Sequence, residues 1–105
     1  MLSSSEAAGL QSGLVALRRR LHSYPEVGLE LPQTQSTVLQ ALEGLPLEIT
    51  LGTRCSSITA VLRGSSAGPA VLLRADMDAL PVREQTGLPY ASTVTSTDQD
   101  GNQVP

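Results

Sequence analysis

Leu10, Leu14, Leu17 and Leu21 recur at steps of four, three and four. They draw one apolar stripe along residues 5–22 and predict an amphipathic helix. Ser3 and Glu6 stand at capping-box spacing at its start, and Arg18, Arg19 and Arg20 occupy its last turns, where positive charge complements the helix dipole. Pro25 stops it and biases Tyr24 toward extended backbone. A second helix is predicted to open at Pro32, whose missing N–H costs little in a first turn. Val38, Leu42 and Leu45 give it a buried face, and Gly44 and Pro46 end it. The period then becomes twofold. Leu47, Ile49 and Leu51 alternate with Glu48 and Thr50 as far as Gly52, a second strand is predicted over 58–63, and a third over 70–75 after the small-residue turn 64–69. The third is almost uniformly apolar, which suits a strand covered on both faces. Two helices followed by three strands predict an α/β layered fold. Residues 91–105 hold mostly Ser, Thr, Asp, Gly and Gln with little to bury, and read as a mobile terminus or a loop leading to a further element.

Composition narrows this picture. The chain has 105 residues, room for one small domain, and its core must come from Leu, Val, Ile and Ala because it has no Phe, no Trp and only two Tyr. A formal net charge of -3 provides no basic field for nucleic acid. The single cysteine, Cys55, rules out an intramolecular disulfide and fits a reducing compartment. No apolar run approaches the roughly 18 residues of a membrane span. Positive charge follows the apolar residues near the N-terminus, the reverse of a signal peptide. The expectation is a cytoplasmic protein with neither nucleic-acid nor membrane partners.

The chemistry-bearing stretch is Arg74-Ala75-Asp76-Met77-Asp78. Side chains alternate along extended backbone, so Asp76 and Asp78 share a face, where two like charges need water, a cation or donors beside them. Either they serve a site beyond the end of a strand, or they are a solvated strand end with Arg74 as counter-charge. Glu84 is a further acid whose position nothing in the sequence fixes. Other patterns read more plainly. Gly64-Ser65-Ser66-Ala67-Gly68 fits a nucleophile-elbow pattern around Ser66, but Pro69 and a strand follow where a helix is required. His22 and Glu26 are four apart, yet Pro25 separates them, so His22 is expected to bond backbone at a helix end and not to bind metal. Asp98-Gln99-Asp100-Gly101-Asn102 has its glycine misplaced for an EF-hand and reads as a turn. Cys55, with only Arg54 beside it, reads as an inert thiol.

Three segments together resemble one family. Leu17-Arg18-Arg19-Arg20-Leu21-His22-Ser23-Tyr24-Pro25-Glu26-Val27-Gly28-Leu29-Glu30, with Thr34 beyond it, is similar to the opening of the metal-dependent amidohydrolases: hippurate hydrolases, N-acyl-amino-acid amidohydrolases and auxin-conjugate hydrolases. Arg74-Ala75-Asp76-Met77-Asp78-Ala79-Leu80-Pro81 resembles their first active-site segment, and Glu84, Thr86-Gly87-Leu88-Pro89-Tyr90 and Ala91-Ser92 follow in family order. The likeness runs from about residue 10 to 92. It implies a larger metallopeptidase-like enzyme that hydrolyses N-acyl amino acids with divalent metal ions (zinc, manganese or cobalt), using a metal-activated water and a glutamate base. On this resemblance residues 1–90 are the N-terminal portion of a zinc-peptidase-like three-layer α/β domain, with three strands of an incomplete mixed sheet. Residues 91–105 are a truncated polar loop, and the inserted dimerisation domain of a homodimeric parent is absent. Only Asp78 carries over as a site residue, matching the aspartate that supports the metal centre. Asp76 falls where related metallopeptidases have a histidine ligand, and His22 falls at a position with no metal role. The His-Ala-Cys-Gly-His-Asp segment that bears metal ligands would follow Val104-Pro105. The chain is therefore expected to be an inactive N-terminal fragment that binds metal weakly if at all. The alternatives are a non-catalytic partner-binding module or a pseudogene relic.

Overall fold

A computed structural model describes residues 4–97 and 103–104. The chain divides into two compact units, residues 1–25 with 81–105, and residues 26–80.

The first unit is built on α1 (Ser4–Ser23), within a residue of the helix the leucine stripe predicts. Leu17 and Leu21 are half-buried, whereas Leu10 and Leu14 at the other end of the stripe are exposed. The helix closes on a Ser23 hydroxyl that donates to the Arg20 carbonyl at 2.9 Å and a Tyr24 N–H that donates to the Leu21 carbonyl at 3.2 Å. The polar stretch after Ala91, expected to lack structure of its own, contributes β3 (Ser96–Thr97) and β4 (Gln103–Val104), paired antiparallel with Ser96 opposite Val104. The Ser3 cap and the Asp98–Asn102 turn lie outside the described residues.

The second unit contains α2 (Pro32–Ala41) with Pro32 in its first turn, as predicted. Its N-terminal donors are all accounted for. Pro32 has none, the Gln33 and Thr34 N–H groups donate to the Glu26 carboxylate at 3.3 and 2.6 Å, and the Gln35 N–H donates to the Leu31 carbonyl at 2.9 Å. Leu31 itself donates to the Ser56 hydroxyl at 2.8 Å, while the Ser56 N–H donates to the Leu29 carbonyl at 2.8 Å. Ser56 thus pins the approach to the helix, and the two residues buried among those described, Leu31 (5% exposed) and Thr34 (8%), sit at this junction. The predicted face is partly confirmed: Val38 and Leu42 are half-buried, but Leu45 is exposed. Past Ala41 the chain leaves the helix through Gly44, whose φ of 81° disfavours any residue bearing a Cβ.

β1 (Glu48–Leu51) and β2 (Ile58–Val61) form an antiparallel pair in the register Glu48↔Val61, Ile49↔Ala60, Thr50↔Thr59, Leu51↔Ile58. Gly52 donates to the Ser57 carbonyl at 3.0 Å and closes the connecting loop. Just beyond β2, Arg63 Nε and Nη2 donate to the two Glu48 oxygens at 2.9 and 3.2 Å, a bidentate pair on an open surface.

The expectation of a third strand needs correction. Residues 70–75 form no strand, and Val71, Leu72 and Leu73 are 88%, 90% and 91% exposed. A strand exists only through a neighbour's ladder, and β1 and β2 pair with each other alone. The apolar pattern predicts a covered strand, but no described segment covers it. Among the described residues the architecture is accordingly two helices with small two-stranded antiparallel sheets, an α/β arrangement without the three-stranded mixed sheet.

Candidate functional site

Asp76 and Asp78 lie in an extended stretch of the second unit. Both are exposed, while Met77 and Ala79 are half-buried. This period-two pattern puts the two carboxylates on one open side, as their spacing predicts. Asp76 pairs with Arg74, whose Nη2 lies 2.7 Å from its Oδ1. That is the counter-charge arrangement weighed from the sequence, and on an exposed surface it adds about 0–1 kcal/mol. Asp78 has no hydrogen-bond or ion-pair partner among the described residues. The backbone directly after it is fixed, because the Ala79 N–H donates to the Glu26 carbonyl at 2.8 Å. Glu26 therefore caps α2 through its side chain and holds the Asp78 segment through its main chain. Neither role follows a sequence-spacing rule. A carboxylate eight residues before Thr34 lies outside the capping box, and Pro25 disguises Glu26 as a residue of a broken helix.

In the first unit the structure corrects the expectation for His22. It does not bond backbone; its Nε2 lies 2.5 and 3.0 Å from the two oxygens of Glu84. The Glu84 side chain is only 12% exposed against 48% for His22. The His22 hydrogen bond, with a further one from the Ser92 N–H at 2.9 Å, lowers the pKa of Glu84 below the ordinary glutamate range. Tyr90 meets the His22 ring edge-on, with centroids 5.8 Å apart, and the Arg19 guanidinium stands 4.6 Å from the Tyr90 ring centroid. Arg18, Arg19, His22, Glu84, Thr86, Leu88 and Tyr90 line a cavity of about 160 Å3. The pairing joins residues 62 positions apart, so no local pattern announces it.

The remaining candidates gain no support. Ser66 sits in an exposed turn with no helix after it, so the elbow is not formed. Cys55 is a free, half-buried thiol in the β1–β2 loop. Among the described residues no group of three or more His, Cys, Asp or Glu side chains could hold a metal ion. A catalytic zinc site needs at least three convergent protein donors, so the residues present do not fit a divalent-metal centre. Among the described residues no helix is long and apolar enough to cross a membrane.

Comparison with known proteins gives the chemical context. The chain is 42% identical over 83 residues to an N-acetyl-L-cysteine deacetylase of Bacillus subtilis (strain 168), a match covering 79% of this chain and 20% of the relative. It is 43% identical over 82 residues to an N-acetyldiaminopimelate deacetylase of Streptococcus uberis, covering 75% and 22%. With thermostable carboxypeptidase 1 of Saccharolobus solfataricus it shares 37% over 86 residues, covering 81% and 22%. The chain thus spans about a fifth of the length of the curated relatives it matches. No family model and no solved structure matches it.

Proposed function

We propose, on the premise that this chain belongs by sequence to the amidohydrolase family of the N-acetyl amino acid deacetylases, that the whole protein hydrolyses the amide bond of N-acyl amino acids. The observation that carries this reading is the 42% identity, sustained over 79% of the chain, with a deacetylase of N-acetyl-L-cysteine. Residues 1–90 would supply the opening portion of the catalytic domain, and cytoplasmic residence and a homodimeric whole protein belong to the same proposal. Asp78 is the residue of this chain placed in the site. Exposed, without a partner among the described residues and adjacent to an anchored backbone, it is free to hydrogen-bond a group that the rest of the site presents. Asp76, neutralised by Arg74, is left as its structural neighbour.

The family resemblance implies divalent metal ions, zinc, manganese or cobalt, as the activator of water. The described residues lack a donor set for them. Calorimetric titration of the chain with zinc or manganese should show no tight binding, and micromolar affinity would contradict this part. The function itself is tested by amine release from N-acetyl-L-cysteine and a panel of N-acyl amino acids, using the whole protein encoded by the gene. Turnover is expected, falling about 10- to 100-fold in Asp78→Asn, the range for residues that support a reacting centre. A folded whole protein that releases amine from none of the panel refutes the reading. Near-normal turnover in Asp78→Asn removes Asp78 from the site without touching the rest.

A further inference from the structure

We propose that the cavity beside the C-terminal turns of α1 binds a small oxyanion, a carboxylate or phosphate group, through Arg18 and Arg19. The proposal is independent of the amide-hydrolysis reading and concerns the first unit alone. The cavity, about 160 Å3, is large enough for such a group.

Its charge is unbalanced toward positive. Glu84 is the one acid lining it, and both Glu84 oxygens are engaged, by His22 Nε2 and by the Ser92 N–H. Arg18 and Arg19 are charged at any physiological pH, and neither forms an ion pair among the described residues. The C-terminal end of a helix carries roughly half a negative charge, which two full positive charges exceed.

The cavity is also ordered. Arg19 lies over the Tyr90 ring, 4.6 Å from its centroid, a cation–π contact that restrains the guanidinium beside the cavity. Tyr90 is held in turn against His22, and His22 against Glu84. Arg18 precedes His22 by four residues and so shares its side of α1. The Thr86 hydroxyl is engaged by the Glu84 carboxylate, and Leu88 forms an apolar wall. An oxyanion seated here meets the guanidinium donors of Arg18 and Arg19, with Leu88 lining the same cavity.

The chain's aromatic content makes a direct test possible. It has two tyrosines and no tryptophan, so Tyr24→Phe leaves Tyr90 as the sole emitter. Inorganic phosphate and acetate are titrated separately into that variant at constant ionic strength, with chloride as the balancing salt. A saturable change in Tyr90 emission is expected for at least one probe, with a dissociation constant on the order of 1 mM. Response to phosphate alone assigns a phosphate site, and response to acetate alone a carboxylate site. Arg18→Gln and Arg19→Gln should each weaken binding at least about tenfold, a loss of about 1.4 kcal/mol, and Arg18→Lys should restore part of it. Both arginines are exposed, so neither variant removes a buried contact, and unchanged far-UV circular dichroism verifies α1. No saturable change up to about a hundred times the expected constant, or an equal response in Arg18→Gln and Arg19→Gln, overturns the proposal.

Discussion

Glu26→Ala isolates the device that starts α2. The carboxylate accepts from the Thr34 N–H at 2.6 Å and from the Gln33 N–H at 3.3 Å. Thr34 is buried, so its N–H has little water to turn to, and loss of a charge-assisted bond there costs about 1.5 kcal/mol. Gln33 is exposed, and its long bond is replaced by water at almost no cost. Removing the negative charge from the first turn adds about 0.3–1 kcal/mol. The total is about 2 kcal/mol, the upper part of the range measured for lost caps. The quantity to measure is local: hydrogen exchange of the Thr34 amide by NMR. At about 1.4 kcal/mol per tenfold, it should exchange roughly 20- to 60-fold faster in the variant. Glu26→Gln, which retains an acceptor without the charge, should lie between. Amides of α1, which belongs to the other compact unit, should keep their rates. An unchanged Thr34 rate in Glu26→Ala, or a Thr34 amide unprotected in the parent, refutes the capping role.

Three further outcomes follow from the same geometry. Leu72→Asp should weaken self-association of the chain about 30-fold, because pairing would bury a side chain now 90% exposed and burying a leucine contributes about 2 kcal/mol; sedimentation velocity reads this, and a parent that stays monomeric at high concentration contradicts it. Gly52→Ala should loosen the β1–β2 loop by about 1–3 kcal/mol, since the added Cβ would collide with the Ser57 hydroxyl and stand 2.7 Å from the Cys55 carbonyl oxygen; hydrogen exchange across the hairpin measures it, and unaltered rates would show that the loop yields freely. Glu84 is held below its ordinary value of 4.5, first by His22 and then by the Ser92 N–H. Its depressed pKa means the pairing contributes fully above 4.5 and is lost as pH falls through the lower, folded-state value. The Tyr90 ring resonances should therefore shift in acid, and in Glu84→Gln that step should vanish; persistence of the step assigns it elsewhere.

The helices were legible because their signals are local. The leucine stripe located α1, and Pro32 located the start of α2, each within a residue. The strands β1 and β2 were also legible, from the twofold alternation that Gly52 ends and the apolar run over 58–63, whereas their antiparallel register was not. Legibility ended where contacts span the chain. Residues 70–75 have the composition of a covered strand, but composition does not state what covers it. Leu31 and Thr34, the two buried among the described residues, follow no periodic apolar face; they sit where Ser56 and Glu26 accept their backbone N–H groups. At the candidate sites the sequence placed Asp76 and Asp78 on one side and anticipated the Arg74 pairing. It identified Glu84 and His22 separately without joining them, since 62 positions separate the two.

Asp78 and the exposed apolar stretch before it are physically linked. Residues 71–73 make no ladder, so the fixed points near Asp78 are the Ala79 bond to Glu26 on one side and the Arg74–Asp76 pair on the other. The first holds only backbone, and the second is a solvent-exposed ion pair whose side chains sample other positions at little cost. A strand laid along Val71–Leu73 would remove their apolar surface and fix the pleat of the following residues. In register, that pleat sets where the carboxylate of Asp78 points. The same pairing that covers the leucines would therefore order the acid, and the direction of the Asp78 carboxylate depends on what pairs with Val71–Leu73.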